Sequence, residues 1–142
     1  MECLIFLSAG HMTVEKGYVH TIVKKIFEYH HVDGTVSIHV IGDTRMRRLN
    51  NHYRHKDRTT DVLSFAMQED NTMPFVEKDF GDIFISMPQI RRQARQHAIS
   101  VKEELVRMVI HGVLHVLGYD HITLKEEKKM FGLQEMFVKK LV

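Results

Sequence analysis

The sequence predicts a single α+β domain, or a mixed α/β sandwich, in which a four-stranded sheet is covered by about five helices. The 142 residues are 44% hydrophobic and 27% charged and include only two prolines, a composition typical of one folded unit. Stretches with strand and helix periodicity follow one another in the order β-α-β-α-β-β-α-α-α, without an internal repeat or a linker. We therefore assign residues 1–142 to one domain.

The first four predicted elements alternate strand and helix. The apolar run 3–7 predicts a strand, and Thr13 is a candidate cap for the helix that follows. The apolar residues of this helix recur at intervals of three and four, which places them on one side: Val19, Ile22, Val23, Ile26 and Phe27. Residues 35–41 alternate apolar and polar side chains and predict a half-buried strand that ends at Gly42-Asp43. A short basic helix is predicted from Thr44 to about Asn51.

Two further strands are predicted in the middle of the chain. The segment 53–60 is polar and has no apolar periodicity, so it predicts a loop before a strand over residues 61–67. Residues 69–79 are acidic and polar around Pro74 and predict a mobile connection to the next strand, over residues 82–86. The loop over residues 53–60 is a candidate functional segment, because loops often carry functional side chains.

Three helices are predicted after residue 86, and local signals mark the start of each. Pro88 suits the first turn of a helix that includes Ile90 and Ala94. Ser100 and Thr123 each stand three residues before a glutamate, the spacing of a capping box, and predict the start of the last two helices. The apolar residues predicted to pack inward from the last helix are Met130, Phe131, Leu133, Met136, Phe137 and Leu141.

Composition excludes several classes of protein. Cys3 is the only cysteine, so no disulfide can form within the chain, and a reducing cytoplasmic location is expected. The longest apolar run near the start is too short to cross a bilayer, so no membrane partner is expected. The net charge of +2 identifies no partner, but one short segment is rich in cations: Arg45, Arg47, Arg48, Arg54, Lys56 and Arg58. That segment predicts either a solvated helix face or a surface that faces phosphates.

Three histidines in one segment have the spacing of a metal site. In a helix, His111 and His115 lie four residues apart on one face and can reach the same ion. Gly118 allows the chain to turn back, which brings His121 to a third position around that ion. Three nitrogen ligands with an open fourth position are typical of a catalytic zinc site, although other first-row divalent metals accept the same ligands. We therefore predict one Zn²⁺ per chain.

The same spacing occurs in the metzincin peptidase signature, with one chemically important difference. That signature, H-E-x-x-H-x-x-G-x-x-H, carries a glutamate as general base where this chain has Gly112. Peptide hydrolysis by that route is therefore disfavoured. Asp120, next to His121, is predicted to orient an imidazole or to close the turn, with a role as catalytic base as the alternative.

Three motifs together resemble one known family. The first runs from residue 49 to residue 65 as Leu-Asn-x-x-Tyr-Arg-x-Lys-Asp-x-x-Thr-Asp-Val-Leu-Ser-Phe. The second is Gly-Asp-Ile-x-Ile-Ser over residues 81–86, and the third is the histidine segment 111–121. In this order they resemble the YbeY family of single-strand-specific endoribonucleases. That family acts in bacterial ribosomal RNA maturation, notably at the 3′ end of the small-subunit RNA, and in ribosome quality control.

The resemblance implies a mixed four-stranded sheet, metal ligands at the three histidines, and a functional arginine at Arg54 that clamps the scissile phosphate. Without the motif, an ion pair with Asp57 or Asp61 would explain that arginine. The implied partners are single-stranded RNA, ribosomal RNA and the small ribosomal subunit. The residues assigned to catalysis are Arg54, His115 and Asp120. The cations expected to hold the RNA backbone are Arg54, Lys56, Arg58, Arg48 and Arg45.

Two other functions fit the same residues. A zinc-dependent amidase or peptidase would take its base from outside the helix and would leave RNA intact. A non-catalytic ribosome assembly factor would use a structural metal and would bind RNA through the basic segment without cleaving it. For the nuclease, the nucleophile is open between a water activated by the metal and the ribose 2′-hydroxyl.

Overall fold

The computed structural model describes residues 1–8, 12–67 and 78–142. Four strands lie within these ranges: β1 (Glu2–Leu7), β2 (Thr35–Ile41), β3 (Val62–Ala66) and β4 (Asp79–Ser86). Five helices accompany them in the same ranges: α1 (Lys16–Tyr29), α2 (Asp43–Arg54), α3 (Met87–Gln96), α4 (Val101–Val116) and α5 (Leu124–Leu141).

The sheet is mixed, as the family resemblance implied. Its strand order is β1-β2-β4-β3. The strands β1, β2 and β4 run parallel, whereas β3 pairs antiparallel with β4. The predicted α+β class, with a mixed four-stranded sheet and five helices among the described residues, is therefore confirmed.

The main core lies between one face of the sheet and the helices α1 and α4. Val36, Ile38 and Val40 of β2 point to this face, because alternate residues of a strand share a side. The apolar residues predicted on one side of α1 are all buried here. Helix α4 contacts β3, β4 and three other helices, and nine of its residues are buried. The helix that carries His111 and His115 is therefore held firmly by the core.

The opposite face of the sheet is covered only in part. Helix α2 packs at the end where β2 finishes, and a small second cluster forms there from Ile41, Met46 and Leu63. Phe6, on the edge strand β1, projects from the same face and is 49% exposed. Within the described ranges, the part of this face beyond α2 is therefore open to solvent.

The start of α1 differs from the prediction. The helix begins at Lys16 after Glu15, whose side chain makes no capping hydrogen bond, so Thr13 is not its cap. Met12 is buried in the core, and Val14 packs against that core. Tertiary packing of the residues before the helix, rather than a side-chain cap, thus fixes where α1 starts.

The end of α2 also differs, and this difference changes the setting of the candidate phosphate ligand. The helix continues to Arg54 and ends at His55, which adopts a left-handed conformation with φ of 57°. Arg54 therefore lies in the last helical turn and not in a loop. Asn50 is buried, and its Nδ2 donates a hydrogen bond of 2.8 Å to the Arg58 carbonyl, which folds the next segment back against the helix.

The remaining boundaries shift by a few residues. Strand β3 is one residue shorter at each end than predicted, and Asp61 accepts a hydrogen bond of 2.8 Å from the Val62 N–H at its start. Strand β4 begins at Asp79 rather than at residue 82, because residues 79–81 pair with β2. Of the predicted connection over residues 69–79, residues 69–77 lie outside the described part of the chain.

The predicted helix starts after residue 86 are confirmed. Pro88 lies in the first turn of α3, behind Ser86 as the cap. Ser100 accepts a hydrogen bond of 3.0 Å from the Glu103 N–H, and Thr123 caps α5 in the same manner. In the described ranges, no helix combines the length and the apolar character that a membrane span requires.

Candidate metal centre

His111, His115 and His121 converge at the C-terminal end of α4. The first two lie on one face of the helix, and their ring centres are 4.8 Å apart. Gly118 adopts φ of 108°, which glycine tolerates, and the chain then returns His121 to within 5.1 Å of the His115 ring. One ligand atom from each histidine lies within 4.8 Å of the others. The structure thus brings the three predicted ligands together.

This donor set fits a small divalent cation. Zinc binds imidazole nitrogen at about 2.0–2.1 Å, so three nitrogens of a tetrahedral site stand about 3.4 Å apart. The observed spread of up to 4.8 Å closes to that value through small rotations of the imidazole rings. His121 is exposed and the other two histidines are half-buried, so the open side of the group faces solvent.

Gln134 of α5 is hydrogen-bonded to His111, a role that the sequence did not predict for it. Its side chain is buried, and its Oε1 accepts a hydrogen bond of 2.8 Å from His111 Nδ1. The proton therefore lies on Nδ1, which leaves Nε2 free to bind a metal. A sequence signal existed, because Gln134 occupies an inward helical position between Met130 and Phe137, where an unpaired amide would be costly.

Burial favours the neutral imidazoles that metal binding requires. Desolvation lowers the pKa of His111, against a smaller opposing effect from the hydrogen bond to Gln134. Desolvation also lowers the pKa of His115, and the neighbouring His111 and His121 lower it further. Both rings are therefore uncharged at neutral pH, and binding a cation displaces no proton from them.

Gly112 lies where α4 comes closest to the sheet. A Cβ atom at this position would stand 2.6 Å from Ile83 Cγ2 and 3.2 Å from Ser64 Oγ. No side chain fits there without moving the helix or β4. The glutamate that a metzincin peptidase carries at this position therefore has no room in this fold, which argues against the peptidase alternative.

The histidines line a cleft of about 790 Å³ beside β3. Phe131 of α5 forms part of the wall and stacks over His111 and His121, with ring centres 6.1 and 6.3 Å away. The prediction that Phe131 packs inward is wrong, since the side chain is 38% exposed. Helix α5 turns Met130, Gln134 and Phe137 to its neighbours instead, and that rotation directs Phe131 into the cleft.

Arg54 lines the same cleft from the end of α2. Its side chain is exposed and forms no ion pair with any residue that the structure describes. Asp57 instead accepts two hydrogen bonds from Arg47, of 2.8 and 3.1 Å. Asp61 accepts one from Gln93. The pairing of Arg54 with either aspartate is therefore not observed, and its guanidinium is available to a ligand.

The other predicted RNA ligands do not line the cleft. Lys56 and Arg58 are exposed in the segment after α2, and Arg48 is exposed on the helix. Arg45 lies over the Phe84 ring at 5.7 Å and donates a hydrogen bond of 3.2 Å to Ser8. Among the five predicted cations, only Arg54 lines the cleft.

Asp120 lines the cleft as well, and its contacts match a positioning role. Its Oδ1 accepts a hydrogen bond of 2.7 Å from the His121 N–H, which closes the turn that carries this histidine. Its negative charge opposes the lowering of the His115 pKa.

Comparison with known proteins places this site in a family. The family model described as Endoribonuclease YbeY matches residues 9–142. The chain belongs to the YbeY family. Among its relatives, the Endoribonuclease YbeY of Persephonella marina is 37% identical over 134 residues, which cover 93% of this chain and 87% of the relative. The protein of the same name from Bacillus cereus strain G9842 is 43% identical over 106 residues, 70% of this chain and 68% of the relative.

A solved structure supports the same assignment. The solution structure of a Thermotoga maritima protein matches this fold with a TM-score of 0.67 and 28% identity. The match covers 98% of this chain and 88% of that protein. The shared fold thus extends over nearly the whole chain, including the segment that carries the three histidines.

Proposed function

We propose that this YbeY protein is a metal-dependent, single-strand-specific endoribonuclease. Its substrate is ribosomal RNA, notably the 3′ end of the small-subunit RNA, and it also acts in ribosome quality control. The observation that carries the proposal is that three converging imidazoles and an unpaired arginine line one cleft. The names of the relatives support RNA as the substrate. A single cysteine, with no disulfide partner, supports a cytoplasmic location.

In this proposal, His111, His115 and His121 hold one Zn²⁺. When bound, the ion supplies Lewis acidity toward a phosphate oxygen and lowers the pKa of water. Gln134 fixes the tautomer of His111 through its hydrogen bond of 2.8 Å, and burial keeps His111 and His115 uncharged. The chain thus presents three neutral nitrogen donors in a fixed arrangement, at low cost in reorganisation.

Arg54 is the residue we assign to the scissile phosphate. A guanidinium stays charged at every physiological pH and offers a planar pair of donors that matches two phosphate oxygens. Because Arg54 lies at the end of a helix, and not in a free loop, its backbone is held in place beside the cleft. It can therefore stabilise the negative charge that develops on the phosphate oxygens during cleavage.

Asp120 has a positioning role in this proposal. Its bond to the His121 N–H holds the turn that presents the third imidazole, and we place this role ahead of proton transfer. Both a water activated by the metal and the ribose 2′-hydroxyl are compatible with these residues as the nucleophile. Replacing the 2′-hydroxyl at the cleavage position with hydrogen abolishes cleavage if that hydroxyl attacks and leaves it intact if water attacks.

The flanking cations hold the RNA backbone without selecting its sequence. Lys56, Arg58, Arg48 and Arg45 are exposed, in α2 or in the segment that follows it. Contacts with phosphate displace condensed counterions, so the affinity for RNA should fall steeply with salt concentration. This property is shared with a non-catalytic assembly factor and so does not separate the two functions.

The test combines metal analysis with cleavage of labelled single-stranded and duplex RNA. We expect purified wild type to hold about one zinc and to cleave the single strand. Arg54→Ala should retain zinc and lose about 10²–10³-fold in kcat/KM, whereas His115→Ala should lose both zinc and cleavage. Arg95→Ala removes an exposed arginine of α3 that lies outside the cleft and should behave as wild type.

Three results would contradict the proposal. Undiminished cleavage by Arg54→Ala and His115→Ala would mean that the activity belongs to a contaminating nuclease. Tight RNA binding without cleavage by the zinc-loaded wild type would instead support the assembly factor. Cleavage of an amide or peptide substrate, with RNA left intact, would support the hydrolase alternative.

A further inference from the structure

A row of aromatic rings crosses the face of the sheet that α2 leaves open. His39 of β2 stands between Phe6 of β1 and Phe84 of β4, with ring centres 5.0 and 4.3 Å away and planes within 14° and 10° of parallel. This arrangement follows from the strand register, which places the three residues side by side. The carboxylate of Asp82 accepts a hydrogen bond of 2.8 Å from His39 Nε2, which fixes the middle ring.

The row continues to the cleft. Phe65 of β3 lies edge-on to Phe84 at 5.8 Å, and Tyr53 of α2 lies 4.8 Å from Phe65. Both Phe65 and Tyr53 line the cleft that holds the histidines and Arg54. We call the five rings of Phe6, His39, Phe84, Phe65 and Tyr53 the aromatic row. It connects the outer edge of the sheet with the candidate cleavage site.

Both ends of the aromatic row are accessible. Phe6 is 49% exposed and Tyr53 is 56% exposed. One face of the Phe6 ring lies on His39, and β1 is an edge strand of the described sheet, so no further strand stands beside the other face. Such exposure of large aromatic side chains carries a cost in water and typically marks a binding surface.

We propose that the aromatic row binds the unpaired bases of the RNA strand that flanks the cleaved phosphate. A base next to the cleft stacks on Tyr53, and a base farther along the strand stacks on the outer face of Phe6. This inference rests on the proposed nuclease function and identifies the part of the substrate, beyond the phosphate, that the enzyme recognises.

Charge and chemistry favour RNA over a protein as the occupant. Arg45 lies over Phe84 at 5.7 Å, so a cation borders the row where a nucleic-acid backbone would pass. The surface is also continuous with the cleft through Tyr53. Aromatic side chains bordered by cations are the usual means by which proteins bind single strands without reading their sequence.

Stacking on this row gives a physical reason for a preference for single strands. Bases in a duplex are already stacked and paired, so their faces are not available to Tyr53 or Phe6. The histidines and Arg54 contact only the phosphate region, which both kinds of RNA possess. In this view the chemistry of the metal centre tolerates either RNA, and the aromatic row selects the unpaired one.

The test measures binding of the protein, kept in chelator so that it does not cleave, to a labelled single-stranded 12-mer by fluorescence anisotropy, with a gel to show that the RNA is intact. Phe6→Leu should weaken binding about tenfold, because stacking of one base is lost. Phe6→Trp keeps an aromatic face and should bind as wild type or more tightly. Tyr29→Leu is the matched control, since Tyr29 is a 52% exposed aromatic residue on α1, which covers the opposite face of the sheet.

Two further measurements distinguish stacking from charge. An RNA with abasic sites should bind wild type more weakly than the intact RNA, and this difference in affinity should be smaller for Phe6→Leu, which retains only the stacking on Tyr53. The slope of log Kd against log salt should stay unchanged in Phe6→Leu and decrease in Arg45→Ala. Phe6→Leu and Tyr53→Leu should also narrow the difference in cleavage rate between single-stranded and duplex RNA.

The inference is overturned if Phe6→Leu and Tyr53→Leu bind intact and abasic RNA as wild type does, while wild type cleaves normally. That result would favour a protein over RNA as the partner of the aromatic row. It would not contradict the proposed nuclease function. Failure of the wild type to bind and cleave any RNA would remove both proposals. Unchanged thermal unfolding of Phe6→Leu and Tyr53→Leu excludes a loss of fold as the cause of weaker binding.

Discussion

At the scale of single residues, Gly112 shows how packing restricts chemistry. It lies in a helix, where alanine is normally favoured over glycine by about 1 kcal/mol. Here a Cβ atom would stand 2.6 Å from Ile83 Cγ2, and Ile83 is fully buried. We therefore expect Gly112→Ala to lower the free energy of unfolding by about 1–3 kcal/mol, because the clash outweighs the helix preference. Urea unfolding followed by circular dichroism measures the change.

The same chain supplies a control for this prediction. Gly132 of α5 is also helical, but a Cβ atom there would meet nothing within 4 Å. Gly132→Ala should therefore stabilise the protein by about 0.5–1 kcal/mol, through helix preference alone. Equal effects of the two substitutions would show that the close approach of α4 to β4 does not limit position 112.

Gln134 is the residue that most directly supports a metal ligand. Gln134→Leu removes the acceptor for His111 Nδ1 and should weaken zinc binding by about 10–100-fold. Gln134→Glu keeps an acceptor oxygen at the same place and should bind zinc at least as tightly as wild type. Competition with a chromophoric chelator measures both affinities. Equal affinities for wild type and Gln134→Leu would contradict a positioning role for the amide.

At the scale of elements, the candidate site depends on how three helices are anchored to the sheet. Helix α4 supplies two ligands, α5 supplies Gln134 and Phe131, and α2 ends at Arg54. Asp43, the first residue of α2, anchors this helix just after the end of β2. Its carboxylate accepts hydrogen bonds of 2.9 Å from Thr59, from Ser86 and from Arg92. One side chain thus joins α2, β4 and α3 with the segment that follows Arg54.

Asp43→Asn tests this anchor through its dependence on pH. The hydrogen bond from Arg92 lowers the pKa of Asp43, and the hydroxyls of Ser86 and Thr59 lower it further. A carboxyl with a lowered pKa in the folded state stabilises the protein above its unfolded pKa, near 3.9, and loses this effect as pH falls through the folded value. The free energy of unfolding of wild type should therefore exceed that of Asp43→Asn by about 1–2 kcal/mol at pH 7. This difference should disappear below about pH 4.

The matched control is Asp57→Asn. Asp57 also binds an arginine, but it is exposed and joins no other element. Its removal should leave the free energy of unfolding at pH 7 close to that of wild type. The difference in free energy of unfolding between wild type and Asp43→Asn could instead stay constant down to pH 3. That result would show that the charge of Asp43 does not stabilise the fold.

At the scale of the whole molecule, metal binding and folding are linked. The three ligands come from α4 and from the turn after it, and they share a cleft with β3, α2 and α5. A metal that binds only the folded chain raises its stability by about 2.7 kcal/mol at a free concentration of 100 Kd. We expect zinc to raise the Tm by roughly 10 °C over the protein in chelator. Differential scanning fluorimetry measures this shift.

His115→Ala serves as the control for metal removal. It lacks one of the three ligands, so zinc and chelator should give it the same Tm. Cleavage of RNA by wild type should disappear in chelator and return when zinc is added. Full activity of a chelated sample that analysis shows to be free of metal would contradict a metal-dependent reaction.

The sequence alone determined the local features of this protein. Helix periodicity and capping pairs predicted α4 and α5, because these signals depend only on neighbouring residues. The four-residue spacing of His111 and His115, with a glycine before His121, predicted that the three rings converge, since a helix and one turn fix their relation. The motif from residue 49 to residue 65 identified the family and singled out Arg54.

Tertiary structure decided the rest, because contacts between distant elements are not encoded by spacing. Thr13 looks like a cap, yet burial of Met12 sets where α1 begins. Phe131 fits an apolar stripe, yet the rotation of α5 against α4 turns it into the cleft and buries Gln134 beside His111. The row from Phe6 to Tyr53 exists only because sheet order brings four strands side by side and the end of α2 lies next to β3.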